Sequence, residues 1–201
     1  MQDQDLQLTA IQDYVRDIFS NDVTGHDYFH LKRVVRLSKE IAISEKADPF
    51  ICEIVAWLHD VGDKKLFSNP NKAVDDMNQM LSSIKLSNHI IEEINHTIQD
   101  ISFKKGSVPD TLEGKVVQDA DRLDAIGAIG IARTFAYGGA KGQLINHDNL
   151  KESTSIQHFY DKLLRLMDTM NTSTAKNIAK ERHQFLERFL EQFYKEWNYI
   201  E

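Results

Sequence analysis

Three ionisable side chains of this 201-residue chain fall on the apolar faces of its expected helices, so any fold that buries those faces must find partners for them. His30 shares a stripe with Val34, Leu37 and Ile41, at steps of four, three and four residues. His59 continues the stripe of Ile51 and Val55, and Asp121 lies four residues after Val117 and four before Ala125. Asp60 follows His59 at a helix end, where the turn can carry it to the same centre. A buried ionised carboxylate is expensive unless paired. A lone histidine on such a stripe is most often a hydrogen-bonded core residue, and His59-Asp60 alone reads equally well as a structural pair. Two imidazoles and two carboxylates on inward stripes are different, because one divalent cation pairs with both carboxylates at once.

A mixed nitrogen and oxygen donor set suits Mn, with Fe, Co, Ni or Zn as alternatives, better than Ca or Mg. An octahedral ion held by four protein ligands keeps positions for water and a substrate oxygen. Water held there ionises near neutral pH, which makes the expected site chemical rather than merely structural.

The rest of the chain reads as all-α. Apolar residues recur at helical rather than alternating spacing, and the three prolines, at 49, 70 and 109, stand near helix boundaries. Helices are predicted over 6–19, from a cap at Thr24 or Asp27 to about 44, from Asp48-Pro49 to His59-Asp60, and over 72–83, 87–100, 111–124, 125–137, 153–170 and 174–198. Gly62 is the expected stop after His59-Asp60. The segment from Tyr137 to Asn149, with Gly138, Gly139 and Gly142, reads as a loop that either covers a site or simply connects two helices. In the last helix Ile178, Phe185, Leu186, Phe189, Leu190, Phe193 and Trp197 form a stripe suited to a core or to a homodimer contact.

One domain over 1–201 is expected from the length, with a core at about 24–140. The balance of 24 Lys+Arg against 31 Asp+Glu, a net charge of −7, argues against a nucleic-acid partner. No run approaches the ~20 apolar residues of a membrane span, and the start has neither a basic region nor an apolar stretch, so a cytoplasmic protein is expected. The single cysteine, Cys52, lies among Ile51, Ile54 and Val55 and reads as a small buried hydrophobe.

The conjunction of His30, His59-Asp60 and Asp121, the last within Gln118-Asp119-Ala120-Asp121-Arg122-Leu123-Asp124, resembles the HD superfamily of metal-dependent phosphohydrolases. The stretch from Gly25 to Val34 also resembles a small bacterial branch of it, and the likeness runs from about residue 24 to 140. The resemblance implies a helical bundle with the metal between core helices, ligated by His30, His59, Asp60 and Asp121. It also implies hydrolysis of a phosphate ester or anhydride. Asp119 and Asp124 compete as fourth ligand, but family alignment and inward phase both favour Asp121. In several relatives an acidic residue three positions after the His-Asp aspartate helps to activate water; here that position holds Asp63.

Basic and polar residues nearby are candidates for the substrate. Arg33 lies three positions after His30; Lys64 and Lys65 follow Asp63; Lys104 and Lys105 form a second basic cluster. Lys64 is expected to act beside Asp63 in the reaction itself. Arg122 is a candidate to orient a neighbouring carboxylate. His89, Glu93, His96 and Asp100 share one helix face, which lines the pocket, holds a second metal or is a solvated surface; His96 is the candidate substrate contact. His26 is expected to be structural or at the pocket rim. The expected substrate is a small phosphate compound, first a nucleotide such as a nucleoside triphosphate. The competing reading is a metal-containing nucleotide sensor without turnover.

Overall fold

Caps and prolines set the helix starts. A computed structural model describes residues 2–20, 25–64, 66–103, 108–147 and 153–198, and these contain only helices, short 3-10 turns and connections. The α-helices are α1 (Gln2–Phe19), α2 (Tyr28–Glu45), α3 (Pro49–Leu58), α4 (Pro70–Ser83), α5 (Asn88–Phe103), α6 (Leu112–Asp124), α7 (Gly127–Ala140), α8 (Ser155–Asp161) and α9 (Ser173–Trp197). Asp27 caps α2 by accepting from the backbone N–H of His30, Asp48 caps α3 by accepting from Phe50 and Ile51, and Asn69 caps α4. Pro49 and Pro70 occupy the first helical position, where the missing N–H costs nothing.

The helices divide between two compact units, one formed by residues 1–22 and 26–120, the other by 23–25 and 121–201. In the first, α3 is the central element: Ile51, Cys52, Ile54, Val55, Ala56, Trp57 and Leu58 are all buried. Helices α1, α2 and α5 pack around it, and α4 packs on α5. The start of α2 is held by Tyr28, which stacks on Trp57 with ring centroids 5.6 Å apart. Its hydroxyl accepts from Gln12 Nε2 at 2.6 Å and from Arg16 Nη2 at 3.2 Å, both on α1. Cys52 is fully buried, and that burial, followed by the charges of Glu113 and Asp48, pushes its thiol up to about 12. It is the inert small hydrophobe that the sequence suggests.

In the second unit α9 buries Leu186 and Leu190, and Phe189 stacks on Phe159 of α8 and packs edge-on against Phe135 of α7. Of the stripe, Leu186 and Leu190 are core, Ile178, Phe189 and Phe193 are half-buried, and Phe185 and Trp197 are exposed.

Two segments differ from the sequence expectation. The helix expected over 153–170 ends at Asp161 and gives way to 3-10 turns at Leu163–Arg165 and Met167–Thr169. A three-residue turn places Leu163 and Leu166 on the same side, and both are buried. Helix α7 starts later than expected and runs through Gly138 and Gly139 to Ala140. Gly138 lets the helix pass close to Ser155, because a Cβ there would collide with the Ser155 Oγ. The described part of the following connection is tied down by Gln143 N–H to Gly138 O and by Ser155 and Ile156 N–H to Leu144 and Ile145 O. No helix among the described residues is long and apolar enough to cross a membrane.

Asp48→Ala removes a cap that accepts two backbone hydrogen bonds, and a loss of roughly 1 kcal/mol is expected. Chemical denaturation should show the lower midpoint, with divalent-metal binding unchanged.

Candidate metal centre

Helix α3 is apolar almost to its end, and its last turn delivers His59 and Asp60 into the core of the first unit. His59 is 6% exposed and Asp60 9%, while His30, one turn into α2, is fully buried. The inward stripes read from the sequence therefore hold for His30 and His59, and the turn after α3 carries Asp60 inward with them. His30 is aimed by its own backbone, since its N–H is held at 2.7 Å by the Asp27 cap.

The imidazoles surround one carboxylate. Asp60 Oδ1 lies 3.5 Å from His59 Nε2, and Asp60 Oδ2 lies 3.6 Å from His30 Nε2. Both separations exceed the hydrogen-bond range and approach the ~3.0–3.4 Å expected between neighbouring ligands held 2.0–2.1 Å from one ion. His59 Nδ1 is 2.9 Å from the Ala56 carbonyl, which can only accept. Nδ1 therefore carries a proton, which leaves Nε2, the nitrogen facing Asp60, as the atom that could bind a metal. Burial alone would raise the Asp60 carboxyl, but the imidazoles of His59, His26 and His30 together outweigh it and hold the carboxyl well below the usual range. The donor set fits a divalent transition ion.

His26 is where the structure goes beyond the sequence. Expected to be structural or at the pocket rim, it places Nδ1 3.1 Å from Asp60 Oδ2, and His26, His30 and Asp60 form a cluster close enough to share an ion. The signal was present as His26-Asp27-Tyr28-Phe29-His30, two histidines four apart around a cap. Helical phase does not report it, because His26 precedes the first turn of α2.

The carboxylates of α6 separate by environment. Asp119 is fully buried, Asp121 is half-buried, and Asp124, 1% exposed, is paired with Arg133 at 2.8 Å within the second unit. The inward phase that favoured Asp121 discriminates poorly here, because Val116, Val117, Gln118, Asp119, Ala120, Leu123 and Asp124 are all buried and cover most of the helix circumference. The Arg133 pair occupies Asp124. Arg122 donates to the Thr169 carbonyl, so one of its guanidinium nitrogens serves the second unit's own packing.

After Asp60 the chain turns sharply at Gly62, whose φ is +84°; a Cβ there would lie 2.7 Å from Val74. That turn presents Asp63 half-buried and Lys64 exposed. Arg33 is half-buried on α2. On α5, His89 and His96 are exposed while Ile91, Ile94 and Ile98 are buried. Among the described residues neither histidine joins a cluster able to hold an ion, so the second-metal alternative finds no support there. Lys65, Lys104 and Lys105 lie outside the described residues.

A buried His-Asp pair ending an apolar helix, faced by a histidine from the preceding helix, defines the class: the chain belongs to the HD superfamily, the fold of metal-dependent phosphohydrolases. The HD domain family matches residues 27–126. Among curated proteins the chain is similar to YpgQ of Bacillus subtilis (strain 168), 41% identical over 94% of this chain and 93% of the relative. The crystal structure of Bacillus subtilis YpgQ in complex with ADP is similar at TM-score 0.85 and 39% identity, covering 96% of both chains. An HD-superfamily hydrolase from Bacillus thuringiensis is similar at TM-score 0.79 and 40% identity, covering 97% of this chain and 98% of that one.

Asp124→Ala strands the Arg133 guanidinium and is expected to cost roughly 3–5 kcal/mol. Thermal unfolding should fall sharply while metal stoichiometry, measured on the folded protein, is kept. Loss of the metal at full stability would make Asp124 a ligand instead.

Proposed function

We propose that the chain, acting as one domain over 1–201 in the cytoplasm, hydrolyses a nucleotide, first a nucleoside triphosphate, at a phosphate ester or anhydride bond. It would use one divalent transition metal, with Mn the first choice, held by His30, His59, Asp60 and Asp121. The observation that carries this reading is the Asp60 carboxylate, set between two buried imidazoles at separations suited to sharing an ion. That a relative 39% identical has been crystallised with ADP favours a nucleotide among phosphate substrates.

A bound divalent ion supplies a Lewis acid that activates water and offsets charge on phosphoryl oxygens. The protein's own groups do the rest. Asp63, three residues beyond Asp60, orients the attacking water and takes its proton as the new bond to phosphorus forms and the leaving oxygen departs. Lys64 and Arg33 offset charge growing on the phosphoryl oxygens. His96, Lys104 and Lys105 complete the proposed substrate contacts, and Asp121 the ligand set.

The test is release of phosphate or pyrophosphate by the purified full chain from nucleoside triphosphates, diphosphates and simple phosphate esters, with Mn, Co, Ni or Mg. Turnover of at least one nucleotide with Mn, lost on chelation, is expected. Nucleotide binding without product in any metal would overturn the reading in favour of a sensor. Among variants, Asp60→Ala and Asp121→Asn should lose both bound metal and turnover. Asp63→Asn should keep its metal and lose on the order of 100-fold or more in kcat, the range for a proton-transfer group. Undiminished kcat in that variant removes Asp63 from the mechanism.

A further inference from the structure

Resting on the proposed metal site, we infer that His26 is a positioning residue: it donates Nδ1–H to Asp60 Oδ2 and fixes the rotation of that carboxylate towards the ion. Three imidazoles surround Asp60, but at two kinds of distance. His26 Nδ1 stands at 3.1 Å, within the range of an N–H···O hydrogen bond, whereas His30 and His59 stand at 3.6 and 3.5 Å, beyond it. An ionised carboxylate only accepts, so the short contact requires a proton on His26 Nδ1. A nitrogen carrying that proton has no lone pair for a metal. In this arrangement His26 acts through Asp60 rather than by ligating an ion through Nδ1.

The chain around His26 is built to hold that geometry. Asp27 caps α2 through the N–H of His30, so the turn that carries His26 is registered against the turn that carries His30. The His26 ring meets the His30 ring edge-on, with centroids 5.5 Å apart and an interplanar angle of 81°. Unlike the buried His30, the His26 side chain is 38% exposed, so its replacement leaves no large void in the core. Partners that orient a ligating carboxylate contribute about 10- to 100-fold to metal affinity.

The experiment uses the full chain, Mn(II) alone as probe and no substrate. Binding is titrated by the electron paramagnetic resonance signal of free Mn(II), and ligating nitrogens are counted by pulsed resonance on the bound ion. His26→Ala should weaken Mn(II) binding by about 10- to 100-fold with the melting temperature little changed. His26→Asn should restore most of the affinity, because its amide N–H falls where Nδ1 does. His26→Gln should not, because its amide reaches the Nε2 position. Two imidazole nitrogens are expected on the ion in the wild type and in the Ala and Asn variants. Wild-type affinity in His26→Ala, a third imidazole nitrogen in the wild type, or no rescue by Asn would each overturn the inference while leaving the metal site standing. Failure of the wild type itself to bind Mn(II) would overturn both.

Discussion

A carboxylate inside a protein must be compensated, and in this chain Asp60 is compensated by imidazole on every described side. The residue is 9% exposed, and burial on its own would push its proton affinity up. Three histidines reverse that: His59 beside it, His30 from α2 and His26 from the turn before α2. Much of the first unit can be read as the means of holding these four groups in place. Helix α3 is apolar so that its end is carried into the core, and Tyr28, stacked on Trp57 and hydrogen-bonded from α1, fixes where α2 begins.

The same cluster explains why a metal fits better than a network of hydrogen bonds. Two of the three imidazoles face Asp60 at distances too long for hydrogen bonding, and His59 has its proton committed to the Ala56 carbonyl. An ionised carboxylate among imidazole nitrogens offers a divalent cation both a negative charge to offset and nitrogen and oxygen donors to bind. Membership of the HD superfamily agrees with this chemistry, and the nucleotide reading narrows it to a class of substrate.

Much of the fold was legible in the sequence because its signals are local. Asp27, Asp48-Pro49 and Asn69-Pro70 mark helix starts by chemistry that acts within three residues. The inward placing of His30 and His59 followed from helical spacing alone. The break after Asp161 and the continuation of α7 through Gly138 were not legible, since each depends on contacts made elsewhere: the burial of Leu163 and Leu166, and the approach of Ser155. Phase on α6 does not discriminate, for a related reason. A helix buried around most of its circumference has no single inward stripe, and Asp119, Asp121 and Asp124 are told apart by their surroundings rather than by their spacing.

The sequence by itself determined that this is an all-helical chain whose His30, His59 and Asp60 face inward, because spacing, caps and burial cost are properties of neighbouring residues. Only the tertiary structure decided that His26 reaches Asp60 from outside any helix and that Arg133 of α7 takes Asp124 of α6. Those outcomes depend on distances between groups on different elements. Such distances are set when helices pack, and no local pattern records them.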